Sequence, residues 1–307
     1  MDEKSNFFKK SLDIKSQIEL LKSRGLIIDN EELFSDFLKH NQYYRLEGYW
    51  YAFYDSNIPE HRFKKITKLS NVLKLYEFDS LLRSKVFKEI EVIEISLRSV
   101  IAYNVAENIG EFPYEQLNYK NDADKDEALN RFKKLFNGSK EDFINAYKNK
   151  YNEDIPPIWM LVEIMTFGEL INFYEKFLTK SQGKTISKVY GINSVDLFVS
   201  WMKRLNIIRN ICAHHGRLWN KNITTKIMLP NKNNNKSLET YCKLFVKDSI
   251  NKLYNSLLII QYLLESINGS KNSFINDICS LAKKYDIDLK DMGFPSNSNS
   301  NFLAKSR

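Results

Sequence analysis

Between Leu69 and Glu107 the apolar residues Leu73, Tyr76, Leu81, Val86, Ile90, Ile93, Leu97, Ile101 and Val105 recur every three or four positions. That period predicts one long amphipathic helix, expected to bend because the span exceeds the usual globular helix. A helix of this kind needs others to cover its apolar stripe, and alternating strand-type runs are nearly absent from the chain. The fold class expected is therefore all-α, built around a central helical bundle without internal repeats. An apolar content of 43% and an aromatic content of 13% in 307 residues are ample for such a core.

On either side, the spacing supplies the remaining helices. Leu12, Ile14, Ile18 and Leu21, then Leu33, Phe34, Phe37 and Leu38, predict two short helices around a break at Gly25. The aromatic run from Asn41 to Tyr54 follows. Its rings are expected to pack into the core, with base stacking through Tyr44, Arg45, Tyr49 and Trp50 as the functional alternative. Residues 1–60 thus read as an N-terminal helical and aromatic module, and 61–290 as the main helical domain. Within that domain residues 118–154 are charged, with weak periodicity through Phe132, Leu135, Phe136, Phe143, Ile144 and Tyr147, and read as a peripheral helical insert. Pro156-Pro157 opens a helix expected to run from Ile158 to Leu178. Ser194 caps a further helix with the inward face Leu197, Phe198, Trp201, Leu205, Ile208 and Cys212, and Gly216 is its expected stop. A long helix over Leu238 to Ile267, a short one over Phe274 to Tyr285 and a loose tail at 291–307 complete the reading.

Charge and cysteine usage bound the partners. The formal net charge of +8, carried mostly by lysine, permits an anionic partner such as nucleic acid without demonstrating one. Cys212, Cys242 and Cys279 are few, odd in number and far apart, so neither a disulfide framework nor a zinc pattern is expected. Met1-Asp2-Glu3-Lys4 lacks the layout of a secretion signal and no run of about 18 uncharged apolar residues occurs, so a cytoplasmic protein away from membranes is expected.

Two of the four histidines stand together in Arg209-Asn210-Ile211-Cys212-Ala213-His214-His215, at the end of the Ser194-capped helix. On that helix Asn210 and His214 share a face, while Arg209 and His214 are offset by about 140° yet both can reach a ligand beyond the last turn. Metal-free RNA cleavage needs a base for the 2′-hydroxyl proton, an acid for the leaving 5′-oxygen and a cation for the crowded phosphorane. Histidine plays either proton-transfer part and a guanidinium grips phosphate oxygens with a planar fork. One such set is thin, so a composite site between two copies in a homodimer is expected. His215 is a possible auxiliary. So are Glu94 and Arg98, spaced four apart with the acid first, as an intrahelical ion pair that is either solvated or turned inward. The bland alternative makes His214 and His215 structural. Zinc is the other rival, but His40 and His61 are remote in sequence and no acidic residue has metal-ligand spacing with the pair. With no Walker loop, Gly-x-Ser-x-Gly elbow or His-Glu-x-x-His helix, neither metal nor cofactor is expected.

Four blocks in this order carry a likeness: Tyr43-Tyr44-Arg45-Leu46-Glu47-Gly48-Tyr49-Trp50, Ile90 through Arg98, Pro157 through Glu163 with Phe167-Gly168, and Leu205 through Asn220. Together with Met292-Gly293-Phe294-Pro295 they resemble the Abi-like abortive-infection family of bacterial phage-resistance proteins, of the AbiD and AbiF kind. The resemblance implies a HEPN-type helical fold, marked by an arginine, four to six intervening residues with a polar one first, and a histidine. Arg209, Asn210 and His214 fit that pattern. It further implies a metal-independent endoribonuclease leaving a cyclic phosphate and a 5′-hydroxyl, often dimeric, and a small noncoding RNA as partner or regulator of a defence toxin. Under that reading Tyr44, Arg45, Tyr49, Trp50 and Arg217 contact RNA. A noncatalytic RNA-binding scaffold of the same fold and a helical protein–protein adaptor are the competing readings.

Overall fold

A computed structural model describes residues 10–58, 61–231, 236–270 and 273–296. Among them thirteen α-helices form and no β-strand, only two isolated bridges, Ile27 to Lys68 and Tyr54 to Phe63. The all-α class holds. The chain divides into two compact units, residues 1–81 with 284–287, and residues 82–283 with 288–307. The division falls inside the long helix, at Leu81.

In the first unit, α1 (Ile14–Ser23) starts where the Asp13 carboxylate accepts from the Ser16 N–H at 2.7 Å, and α2 (Glu31–His40) where Asn30 does the same for Leu33. Gly25 ends α1 in the left-handed conformation, φ 95°, as the break in the sequence pattern requires. The aromatic run forms α3 (Tyr43–Trp50) and a 3₁₀ turn at Tyr51–Phe53. Its glycine does not interrupt the helix. Leu46, Tyr49 and Trp50 are buried, and the Tyr49 hydroxyl donates to the buried Asp79 carboxylate at 2.6 Å.

The long helix is α4 (Leu69–Asn108), 40 residues without a break. In the second unit it is followed by α5 (Asp122–Gly138), α6 (Asp142–Lys150), α7 (Ile158–Ile164), α8 (Phe167–Phe177), α9 (Lys180–Val189) and α10 (Val195–Ala213). The last α-helices among the described residues are α11 (Lys236–Cys242), α12 (Tyr254–Asn268) and α13 (Phe274–Tyr285). Every residue of α12 from Tyr254 to Leu264 is buried, and α10 packs against α8, α9 and α12.

Three departures from the sequence reading have identifiable physical causes. The single helix expected over Ile158 to Leu178 is two, because Thr166 and Glu169 form a reciprocal capping box that restarts the helix at Phe167. The helix expected over Leu238 to Ile267 is also interrupted. Asn255 there pairs with both backbone groups of Val246, and buried Arg204 draws in the carbonyls of Ile223 and Ile250. Finally, residues 118–154 are less peripheral than expected. Phe132 is buried against Phe173 and Phe177, and Phe136, Ile144 and Tyr147 form a cluster with Met160 and Ile164.

Of the expected loose tail, Met292 and Phe294 are buried; residues 297–307 lie outside the described residues, as do Met1 through Lys4 and 232–235 of the Asn/Lys loop. Among the described residues no helix is long and apolar enough to cross a membrane.

Candidate functional site

The polar motif sits at the exposed end of a helix whose other face is core. Ser194 caps α10, accepting from the Leu197 N–H at 3.2 Å, and Leu197, Phe198, Trp201, Leu205, Ile208 and Cys212 turn inward as their spacing requires. One turn before the motif, α8 comes close. A Cβ on Gly168 would stand 3.1 Å from Asn206 Nδ2, so a glycine there lets the start of α8 approach α10.

Arg209 is held from α4. Its Nε is buried 3.5 Å from Glu94 Oε2, within ion-pair range but without hydrogen-bond geometry, and its guanidinium lies over the Phe87 ring at 5.7 Å. The side chain is 32% exposed, so solvent still reaches it. Glu94 and Arg98 are turned inward, each about a tenth exposed; Arg98 Nη2 donates to Glu94 Oε1 at 2.6 Å and Nη1 to the Val162 carbonyl. One carboxylate therefore serves two arginines and joins α4 to α10, while Arg98 joins α4 to α7. Phe87 and the Val162 carbonyl escaped the sequence reading. Phe87 lies seven residues before Glu94 and so on the same helical face, the one signal that could have found it.

Beyond Arg209, Asn210 and both histidines are exposed. Arg209 Nη1 lies 3.5 Å from Asn210 Oδ1. His214 is the C-cap, and the helix closes with the His215 N–H on the Cys212 carbonyl at 3.0 Å and the Gly216 N–H on the Ile211 carbonyl at 2.8 Å. The left-handed position of this closure belongs to His215, φ 56°, and not to Gly216, the expected stop. In the same closure α1 uses Gly25 and α9 uses Gly191. A side chain at that position costs about 1–2 kcal/mol relative to glycine, so the second imidazole is carried at a site where the backbone favours none.

The aromatic residues expected to contact RNA divide. Tyr49 and Trp50 are sealed in the core of the first unit and offer no face to a base, which corrects their RNA-binding assignment in favour of packing. Tyr44 is 67% exposed, and Arg45 is half-buried with its guanidinium over Tyr76 at 5.9 Å. Arg217 is half-buried just past the end of α10, before buried Leu218 and Trp219.

The described residues define an all-α protein with an Arg–Asn–His motif at an open helix end, its arginine braced by an acid from a second helix. A family model described as Abi-like protein matches residues 36–220, more than half of the chain, and the chain belongs to that family. The match takes in Tyr44, Glu94, Arg98 and the whole of α10 through Asn220, and membership supports a role in abortive infection. Comparison with curated proteins and with solved structures gave no match.

Proposed function

We propose that the chain is a metal-independent endoribonuclease of the HEPN kind, acting in abortive infection against phage with a noncoding RNA as partner or regulator. The observation that carries this reading is the end of α10. Arg209 there is fixed by Glu94 and Phe87 yet a third exposed, and His214 stands exposed five residues on, beside Asn210.

In the reaction one imidazole takes the proton of the ribose 2′-hydroxyl, whose oxygen attacks the adjacent phosphorus. The bond from phosphorus to the 5′-oxygen breaks as a second imidazole gives that oxygen a proton. The products are a 2′,3′-cyclic phosphate and a 5′-hydroxyl, and no water or metal enters the balance. Arg209 holds the charge that develops on the phosphorane, and Glu94 keeps the guanidinium in place. Base and acid must be different groups, and an offset of about 140° along one helix turns Arg209 and His214 to different azimuths. A second copy of the chain supplies the complement.

Purified protein incubated with total RNA in chelator tests the reading. Wild type is expected to cut, and Arg209→Ala and His214→Ala to lose about 10²–10⁴ in rate. Equal, negligible cleavage by all three would leave an RNA-binding scaffold.

A further inference from the structure

Within the first unit a cavity of about 640 Å³ opens between α1, α3 and the chain just ahead of α1. That is inside the range of roughly 300–1,000 Å³ typical of small-ligand sites. Its walls are chemically uneven. Tyr43 and Tyr44 meet edge to face, centroids 5.8 Å apart and planes at 84°, and Tyr43 is backed by the buried Trp50 ring at 6.2 Å. One ring is therefore a fixed wall, and the other presents an open face.

Arg24 stands beside them. Its Nη1 donates to the Tyr43 hydroxyl at 3.2 Å, and among the described residues it makes no ion pair. Lys10 adds a second cation, against Glu47 as the lining's one carboxylate. The phenols of Tyr43 and nearby Tyr54 are protonated at neutral pH and burial raises both further, so neither cancels the guanidinium. The amides of Gln42 and of Gln17, whose nitrogen also donates to the Leu12 carbonyl at 2.9 Å, add groups that both give and accept hydrogen bonds. At the rim, His61 keeps a left-handed backbone, φ 57°, with its ring 5.2 Å from Tyr54.

A flat ring for stacking, a planar cation for phosphate and amides for base edges in one cavity describe a single ligand class. We propose that this cavity binds a nucleoside phosphate, its base on Tyr44 and its phosphate on Arg24. A free mononucleotide and the terminal nucleotide of an RNA share that chemistry. The inference does not depend on cleavage at α10.

Calorimetric titration of the His214→Ala protein, which spares RNA ligands, tests it. The probes are AMP, GMP, CMP and UMP, and a short RNA ending in either a 5′-phosphate or a 5′-hydroxyl. Saturable binding of at least one phosphorylated probe is expected, weakened about fivefold or more by adding Tyr44→Ala and also by adding Arg24→Gln, but not by Tyr44→Phe. Tyr44 is exposed, so its loss leaves the fold in place. Tighter binding of the 5′-phosphorylated RNA than of any mononucleotide identifies an RNA end, and equal binding a free nucleotide; either supports the proposal. No binding of any probe up to roughly millimolar ligand, or affinities unchanged by both substitutions, would overturn it. Neither outcome bears on whether the wild type cuts RNA.

Discussion

Nε of Arg209 lies 3.5 Å from Oε2 of Glu94, so the motif's arginine on α10 takes its position from a carboxylate on α4 that also holds Arg98. Glu94→Gln keeps an acceptor for Arg98 but removes the charge shared by both arginines. A loss of about 1–3 kcal/mol in urea unfolding is expected, together with slower RNA cleavage. Unchanged stability would mean that the pair contributes nothing to the bundle.

Arg209→Lys keeps the charge and loses the planar fork and the stacking on Phe87. Cleavage is expected to fall nearly as far as with Arg209→Ala. Because the side chain reaches solvent, the unfolding midpoint should move far less than for Glu94→Gln. A lysine variant with wild-type activity would show that charge alone suffices.

His215 occupies a position that glycine fills in the closures of α1 and α9. His215→Gly should therefore raise stability by about 1 kcal/mol, whereas His215→Ala, still an L residue at positive φ, should not. Cleavage should decline by less than in His214→Ala if the second imidazole assists. Chemical denaturation and initial rates on the same preparations separate the two effects.

Trp50 is fully buried, and Trp50→Ala should cost about 3–5 kcal/mol. Tyr44→Ala should leave stability within about 0.5 kcal/mol, as surface changes usually do. Melting curves of the two variants check whether α3 faces the core with one aromatic side chain and solvent with the other.

Glu169 gives a pH dependence. Burial pushes its carboxyl upward, but hydrogen bonds from the Thr166 backbone and hydroxyl and the Arg131 guanidinium outweigh that and hold it below the usual value of 4.5. A lowered folded value means stability that is present above the unfolded value and lost as pH falls through the folded one. The melting-temperature gap between wild type and Glu169→Gln should accordingly be widest near neutrality and shrink below about pH 4.5. A gap independent of pH would remove the charge from the account.

Periodicity made α4 and α10 legible, because their apolar stripes are long and Ser194 supplies a local start signal. The inward turn of Glu94 and Arg98 was half legible. Their spacing announces an ion pair, but whether it faces solvent depends on what packs over it. Thr166-Phe167-Gly168-Glu169 is a visible capping box masked by the mostly apolar residues on both sides of it, so α7 and α8 read as one helix. The interruption before α12 was not legible at all, since Arg204 reaches carbonyls 19 and 46 residues away. Nor was Phe87 beneath Arg209, because nothing local ties one helix face to a residue more than a hundred positions later. The run containing Tyr44, Tyr49 and Trp50 was ambiguous for a third reason: aromatic residues suit both cores and bases, and only burial separates them.

If Arg209 and His214 cut RNA by 2′-hydroxyl attack, the ends of the fragments carry the mark of that chemistry. Mass spectrometry of RNA incubated with wild-type protein in chelator should find 2′,3′-cyclic phosphates paired with 5′-hydroxyls, and neither with His214→Ala. Fragments with 5′-phosphates, or the same fragments from wild type and His214→Ala alike, would contradict it.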